Sequence, residues 1–213
     1  MLKIINKSLQ LLKKIPIDLA QEKMAKITKG KLIALSLVGQ GKGKIVLDVG
    51  CREGYWSEIL KQSGFRVISI DKEKMYKDCQ RVDVNKGLPF EDFTFDIVWA
   101  TEVLEHLNSP KDSIKEFNRV MKLNGKLILT TPNSYFFLMK LFHWLGIKPN
   151  KLQNIGHKHF FNLRDIKILF PHASIFGYFP YCIIKFKIKK LVGLLSPTFI
   201  IEKKKENISN HYV

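Results

Sequence analysis

The chain reads as an α/β protein with a mostly parallel sheet, and three observations point there. Short apolar runs of the fully buried kind, Val46–Val49, Arg66–Asp71, Phe95–Ala100 and Lys126–Thr131, alternate with stretches of helical pattern. The first run carries Asp48 and breaks at once into the glycine loop Gly50-Cys51-Arg52-Glu53-Gly54, from which a helix over Tyr55–Leu60 departs. The second run also ends in a carboxylate, Asp71, at the edge where open α/β sheets receive their ligands.

Taken in order, residues 2–15 set Leu2, Ile5, Leu9 and Leu12 on one helical face, with Lys3, Lys7, Lys13 and Lys14 elsewhere. This basic amphipathic helix ends at Pro16 and either braces its own domain or lies on a membrane surface. A helical pattern continues from Ile17 to Val38 and stops in Gly39-Gln40-Gly41-Lys42-Gly43. The expected organisation is a helical extension over 1–43, a main domain over 44–202 and a charged tail over 203–213. Between Asp71 and Asp83 stand eleven residues, too few for a full crossover helix, so that crossover is predicted to shrink to a turn or two around Lys72–Tyr76. Ser109-Pro110-Lys111-Asp112 opens a helix that should run to Asn124-Gly125. Asn133 is then the predicted N-cap of Ser134–Leu145, a helix apolar nearly all round that Gly146 stops. That helix is either a cap over an apolar substrate or part of the core. Ser196–Ile201 reads as the last strand.

At 213 residues, 46% hydrophobic and 26% charged, the chain is of ordinary globular composition, and no apolar run reaches membrane-span length. The start lacks a secretory pattern, so a cytoplasmic location is expected, with membrane association as an option. Cys51, Cys79 and Cys182 have no metal-ligand or redox spacing and are expected as thiols. The net charge of +17 divides unevenly: residues 1–45 carry +8, 46–120 carry −3 and 121–213 carry +12. Basic flanks on a mildly acidic core suit an anionic membrane, a lipid-linked substrate or a nucleic acid, or reflect a lysine-rich composition.

The glycine loop excludes one cofactor. Counted from Gly50, a dinucleotide fingerprint needs glycine where Arg52 and Tyr55 stand, which disfavours NAD. The string Asp48-x-Gly50-x-Arg52-x-Gly54 instead resembles motif I of the class I S-adenosylmethionine-dependent methyltransferases, with Arg52 in place of the central glycine. The later segments are similar in kind and in order. Asp71 matches the ribose-binding acid, and Asp83-Val84 with Leu88-Pro89-Phe90 and Phe95-Asp96 resembles the adenine-binding segment and fourth strand. Glu105-His106 matches a Glu-His pair beside the sulfonium, Thr131-Pro132-Asn133 resembles the end of the fifth strand, and His157-Lys158-His159-Phe160-Phe161 resembles a pattern of small-molecule members. The likeness is dense from Ile45 to Asn133.

The resemblance implies a Rossmann-like fold: a mostly parallel seven-stranded sheet with helices on both faces, an abbreviated second crossover, added N-terminal helices and a cap at about 133–162. It implies S-adenosylmethionine as cofactor, bound by Asp48, Gly50, Cys51, Arg52, Gly54, Asp71, Asp83, Val84 and Thr101, with His106 and Glu105 as catalytic residues. Ubiquinone-type O-methyltransferases carry a trio similar to Glu102, Glu105 and His106 that can hold a divalent metal, and His157 and His159 share a face of an extended segment. With no complete ligand set placed, no metal is expected. The Asp/Asn-Pro-Pro-Tyr signature of amino-group methylation is absent, Ala100-Thr101-Glu102-Val103 standing in its place. The expected reaction is methyl transfer to a hydroxyl or carbon of a small lipid-like or glycan acceptor. Methylation of RNA through the basic flanks, and a non-enzymatic cofactor-binding role, are the alternatives.

Overall fold

The computed structural model describes residues 27–146, 156–179 and 186–206. Among these, eight strands form one sheet: β1 (Ile45–Val49), β2 (Arg66–Asp71), β3 (Cys79–Arg81), β4 (Phe95–Thr101), β5 (Met121–Pro132), β6 (Ser174–Tyr178), β7 (Lys187–Ile188) and β8 (Thr198–Lys204). Their order is β3-β2-β1-β4-β5-β8-β6-β7. The first five pair in parallel, and β8 enters antiparallel between β5 and β6. The expected seven strands are joined by an eighth, the two-residue β7 at the edge beside β6.

Alternation along the central strands divides two cores. Leu47, Val49, Val98, Ala100, Leu127 and Leu129 face one side, where α3 (Pro110–Val120) packs Ile114, Phe117 and Val120 and α5 (Leu163–Leu169) packs Ile166. Val46, Ile97, Trp99 and Ile128 face the other, where α1 (Lys29–Val38) packs Ile33, Ala34 and Val38 and α2 (Tyr55–Gln62) packs Trp56 and Leu60. Both faces of the parallel strands are thus covered, which is why these strands read as continuous apolar runs. Two further helices are α4 (Phe137–Trp144) and α6 (Val192–Leu195).

Several boundaries differ from expectation, each for a local reason. The amphipathic segment 2–15 lies outside the described residues. Of the helical pattern expected over Ile17–Val38, residues 17–26 lie outside the described residues; α1 begins at Lys29, where Thr28 is extended and its side chain accepts from the Lys31 amide. Helix α3 ends at Val120, not at Asn124-Gly125; the chain enters β5 at Met121 and turns within the strand at Asn124, whose φ is 60°. Asn133 is not a helix cap. Its Nδ2 donates to the carbonyls of Gly193 and Ser196, its Oδ1 accepts from the Tyr135 amide, and α4 starts at Phe137. The last strand starts at Thr198 and runs past the expected boundary at 202 into the assumed tail, where Lys205 donates from Nζ to the carbonyls of Asn118 and Met121. The second crossover is abbreviated as expected, to bends and turns with no helix between Asp71 and Cys79.

Candidate functional site

Val49 pairs with Ile70 on one side and with Ala100 on the other, so β1, β2 and β4 end level. From β1 the chain order runs outward both ways, which makes these strand ends the topological switch point where open α/β sheets receive their ligands. The glycine loop crosses it. The amides of Gly50 and Cys51 both donate to the Ile70 carbonyl, at 2.8 and 3.1 Å. Gly50 has φ 75°, and a Cβ there would stand 2.6 Å from Val103 Cγ2. Gly54 has φ 78°, and a Cβ would stand 2.3 Å from the Tyr76 ring. Neither position admits a side chain.

Arg52 shows how the loop survives without its central glycine. It adopts φ 48° with its side chain exposed, and its amide donates to Asp71 Oδ2 at 3.0 Å. That bond offsets the cost of a left-handed non-glycine residue and fixes the loop against β2. Asp71 Oδ1 accepts from the Glu73 amide at 3.1 Å, so each oxygen keeps acceptor capacity for a ligand.

Asp48 lies beneath the loop rather than at its surface. It is buried and accepts from Ser57 Oγ at 2.6 Å, which in turn accepts from Ser69 Oγ at 2.9 Å. Burial raises its pKa to about 6 against the lowering effect of the Ser57 bond. Cys51 is buried with Cys79 and Tyr76, and burial pushes its thiol up, out of the reactive range. Tyr76 fills the room left by the missing crossover helix, its hydroxyl bonded to Glu58, Asp78 and Lys61. Asp83 caps the turn Val84–Lys86, accepting from the Asn85 amide and Nδ2, which hold its carboxyl below the usual range. Asn85 accepts in turn from the Asn108 amide at 2.7 Å, and a hollow of about 650 Å³ adjoins Asp83 and Leu88.

Thr101 ends β4 opposite Thr130. Glu102 follows at φ 57°, accepting from Thr130 Oγ1 at 2.7 Å. In the turn Leu104–His106, Glu105 is 1% exposed; Oε2 accepts from Thr131 Oγ1 at 3.0 Å, while Oε1 has no hydrogen-bond partner among the described residues. The segment after Gly156 clamps this turn: the Lys158 and His159 amides donate to the Glu105 carbonyl at 2.8 and 3.2 Å, and His106 Nδ1–H donates to the Gly156 carbonyl at 2.9 Å. That bond occupies Nδ1 and leaves Nε2 without a hydrogen-bond partner among the described residues. His157 meets His106 edge to face at 4.9 Å, with Nε2 4.0 Å from Glu105 Oε1 and Nδ1 buried without a partner among the described residues. Burial, then the charge of Glu102, pushes the Glu105 carboxyl well above its usual range; burial, then His106, lowers His157 to about 4.

The result is a carboxyl whose burial favours the protonated form, beside two imidazoles. Glu105, His106 and His157 each offer one ligand atom, all within 4.8 Å of one another. His159 does not join them, since its Nε2 donates to the Leu107 carbonyl at 2.9 Å and its ring stacks on Phe161. Sequence reasoning placed Glu105 and His106 here and singled out His157, but missed Thr131 and Ser57. The signal available for both was a hydroxyl inside an otherwise apolar face.

A sequence profile of the family described as a methyltransferase domain matches residues 20–173. A protein described as a "probable S-adenosylmethionine-dependent methyltransferase" from Mycolicibacterium smegmatis is 32% identical over 148 residues, 62% of this chain and 58% of that one. The ubiquinone biosynthesis O-methyltransferase of Coxiella burnetii is 34% identical over 108 residues, 45% of this chain and 46% of that one. The chain spans about half the length of these curated relatives. A solved SAM-dependent methyltransferase from Thermotoga maritima superposes with TM-score 0.64 at 18% identity, over 83% of this chain and 88% of that one, a likeness of fold.

Proposed function

The chain belongs to the class I S-adenosylmethionine-dependent methyltransferases, and from that premise we propose that it transfers the cofactor's methyl group to a hydroxyl of a small acceptor, with Glu105, His106 and His157 handling the acceptor's proton. The observation that carries this reading is the buried group itself. The Glu105 and His157 side chains are 1% and 8% exposed and each leaves a polar atom without a hydrogen-bond partner among the described residues, which is costly to keep unless something is to be bonded there.

The cradle suits the cofactor. Gly50 and Gly54 let backbone approach, Asp71 retains acceptor capacity for two ribose hydroxyls, and Asp83 with Val84 stands at the adenine end. Cys51, Arg52 and Thr101 line the same strand ends through the loop and β4. When bound, the sulfonium supplies an activated methyl, so alignment of donor and acceptor contributes most of the acceleration. What the chain must add is removal of a proton. His106 Nε2 is free to accept it, and neutral His157 beside Glu105 holds the site's proton inventory in place.

A divalent cation is a second reading, favoured by the convergence of one carboxylate and two imidazole atoms within 4.8 Å. Glu105, His106 and His157 would hold it, and its chemistry would be to acidify an acceptor hydroxyl. The test of the main reading is incubation of the protein with methyl-labelled cofactor and fractionated cell extract, followed by identification of the labelled product. Label on a hydroxyl oxygen, abolished by His106→Ala and unaffected by chelator, supports it; loss with chelator alone selects the metal reading, and label on RNA removes both.

A further inference from the structure

We propose that the outer face of α4, together with the chain tip that enters α6, docks on an anionic phospholipid bilayer. Helix α4 is fastened by Phe136, Met139 and Phe142, which form a small buried cluster of their own. Their burial turns Lys140, Leu141, Trp144 and Leu145 outward, neighbours at the spacing of one helical turn. Leu141 is 47%, Trp144 81% and Leu145 59% exposed. Such a set at the end of a helix is not explained by packing among the described residues.

A second element completes the surface. A cavity of about 460 Å³ is lined by Tyr135 and Lys140 on one side and by Arg164, Leu191 and Leu194 on the other, with no carboxylate in its lining. Leu191 is held at φ 54°, a conformation leucine resists, and yet its side chain is 64% exposed beside the exposed Lys190. Backbone strain used to hold an apolar side chain in water needs something other than the fold to receive that side chain. Indole and leucine side chains ringed by lysine and arginine match the boundary between acyl chains and anionic headgroups.

Other occupants fit less well. A second copy brings the same charge, +12 over residues 121–213, against this one, and the chain's own basic segment 2–15 does the same. RNA would satisfy the cations and offer bases to stack on the indole, but it would leave Leu141, Leu145, Leu191 and Leu194 in water. The proposal deepens the methyl-transfer reading by giving an acceptor dissolved in a bilayer a route to the site, and rests on that reading for its purpose only.

The three tryptophans of the chain make a local test. Trp56 and Trp99 are 7% and 0% exposed, so accessible indole emission reports Trp144. The full chain is titrated, without cofactor, with vesicles of phosphatidylglycerol and phosphatidylcholine, with phosphatidylcholine alone, and with a single-stranded RNA. Anionic vesicles should shift the emission to the blue and reduce acrylamide quenching roughly threefold or more, and the Trp144→Phe, Leu191→Ser double variant, followed by vesicle sedimentation, should bind about tenfold less than the wild type. Absence of the shift with anionic vesicles, an equal response to RNA, protection of Trp144 by self-association, or undiminished sedimentation of the variant each overturns the proposal. Unchanged thermal unfolding of the variant confirms its fold. Calorimetry with S-adenosylmethionine alone reports on the methyl-transfer reading separately, so either can fail without the other.

Discussion

His157 Nε2 lies 4.0 Å from Glu105 Oε1, inside a shell where Glu105 Oε1 and His157 Nδ1 have no other hydrogen-bond partner among the described residues. The separation is too long for a hydrogen bond and short enough for a ligand atom or a small shift to bridge it. The pair joins two segments far apart in sequence, and the backbone bonds from Lys158 and His159 to the Glu105 carbonyl set its geometry.

Replacing His157 by Phe should leave the clamp intact while removing the imidazole. Methyl transfer is expected to fall by about 10²–10⁴, the range of general acid–base effects, with cofactor affinity nearly unchanged. Steady-state kinetics beside calorimetry measures both, and an equal loss in binding would mean that His157 serves the fold.

Burial, then the charge of Glu102, places the Glu105 pKa in the folded state above the unfolded one. The native state then keeps a proton that the unfolded chain releases above about pH 4.5, and stability contributed this way is lost as pH rises. Glu105→Gln should therefore unfold at higher temperature than wild type at pH 8, with the difference vanishing toward pH 4. His157 acts in the opposite sense: its pKa of about 4 costs stability as pH falls from 6.5 toward 4. Thermal unfolding across pH separates the two.

Asp48 is a cleaner case of the same linkage. Its rise from 3.8 to about 6 corresponds to about 3 kcal/mol of stability forgone at neutral pH, absent below the unfolded pKa. Asp48→Asn can keep the bond from Ser57 and should stabilise the protein by up to about 3 kcal/mol at pH 8. If the charge serves the cofactor, affinity should drop about tenfold in the same variant. A variant that is no more stable would show that the charge is solvated in the native state.

Gly50→Ala combines a left-handed backbone with a Cβ 2.6 Å from Val103 Cγ2. A destabilisation of about 2–4 kcal/mol is expected, read by denaturant unfolding. Adding Val103→Ala should recover the steric part and not the backbone part. Full recovery, or none, would contradict the packing described for the loop.

Much of this was legible in the sequence because it is periodic or local. The buried runs around Val46, Ile68, Val98 and Ile128 became the central parallel strands, and Gly50 with Gly54 marked the loop. Arg52, standing where the family's central glycine would, keeps the loop fastened to β2 because its amide finds Asp71 across 19 residues. Long-range satisfaction of polar groups has no sequence period. That is also why the hydroxyls of Thr131 and Ser57 stood out in apolar faces while their partners Glu105 and Asp48 were not readable, nor was the tie of Asn133 to Ser196 in place of a helix cap. Apolar content was equally silent about direction: α4 looked apolar all round, yet it buries only the side that carries Phe136, Met139 and Phe142.

The most direct test of the central claim is calorimetric titration of the wild-type chain and of Asp71→Ala with S-adenosylmethionine. One site per chain is expected, weakened about tenfold or more when Asp71 is removed, since the carboxylate proposed to receive the ribose also holds the Arg52 amide. Absence of binding to the wild type, or identical isotherms for the two proteins, would contradict the cofactor site described for this fold.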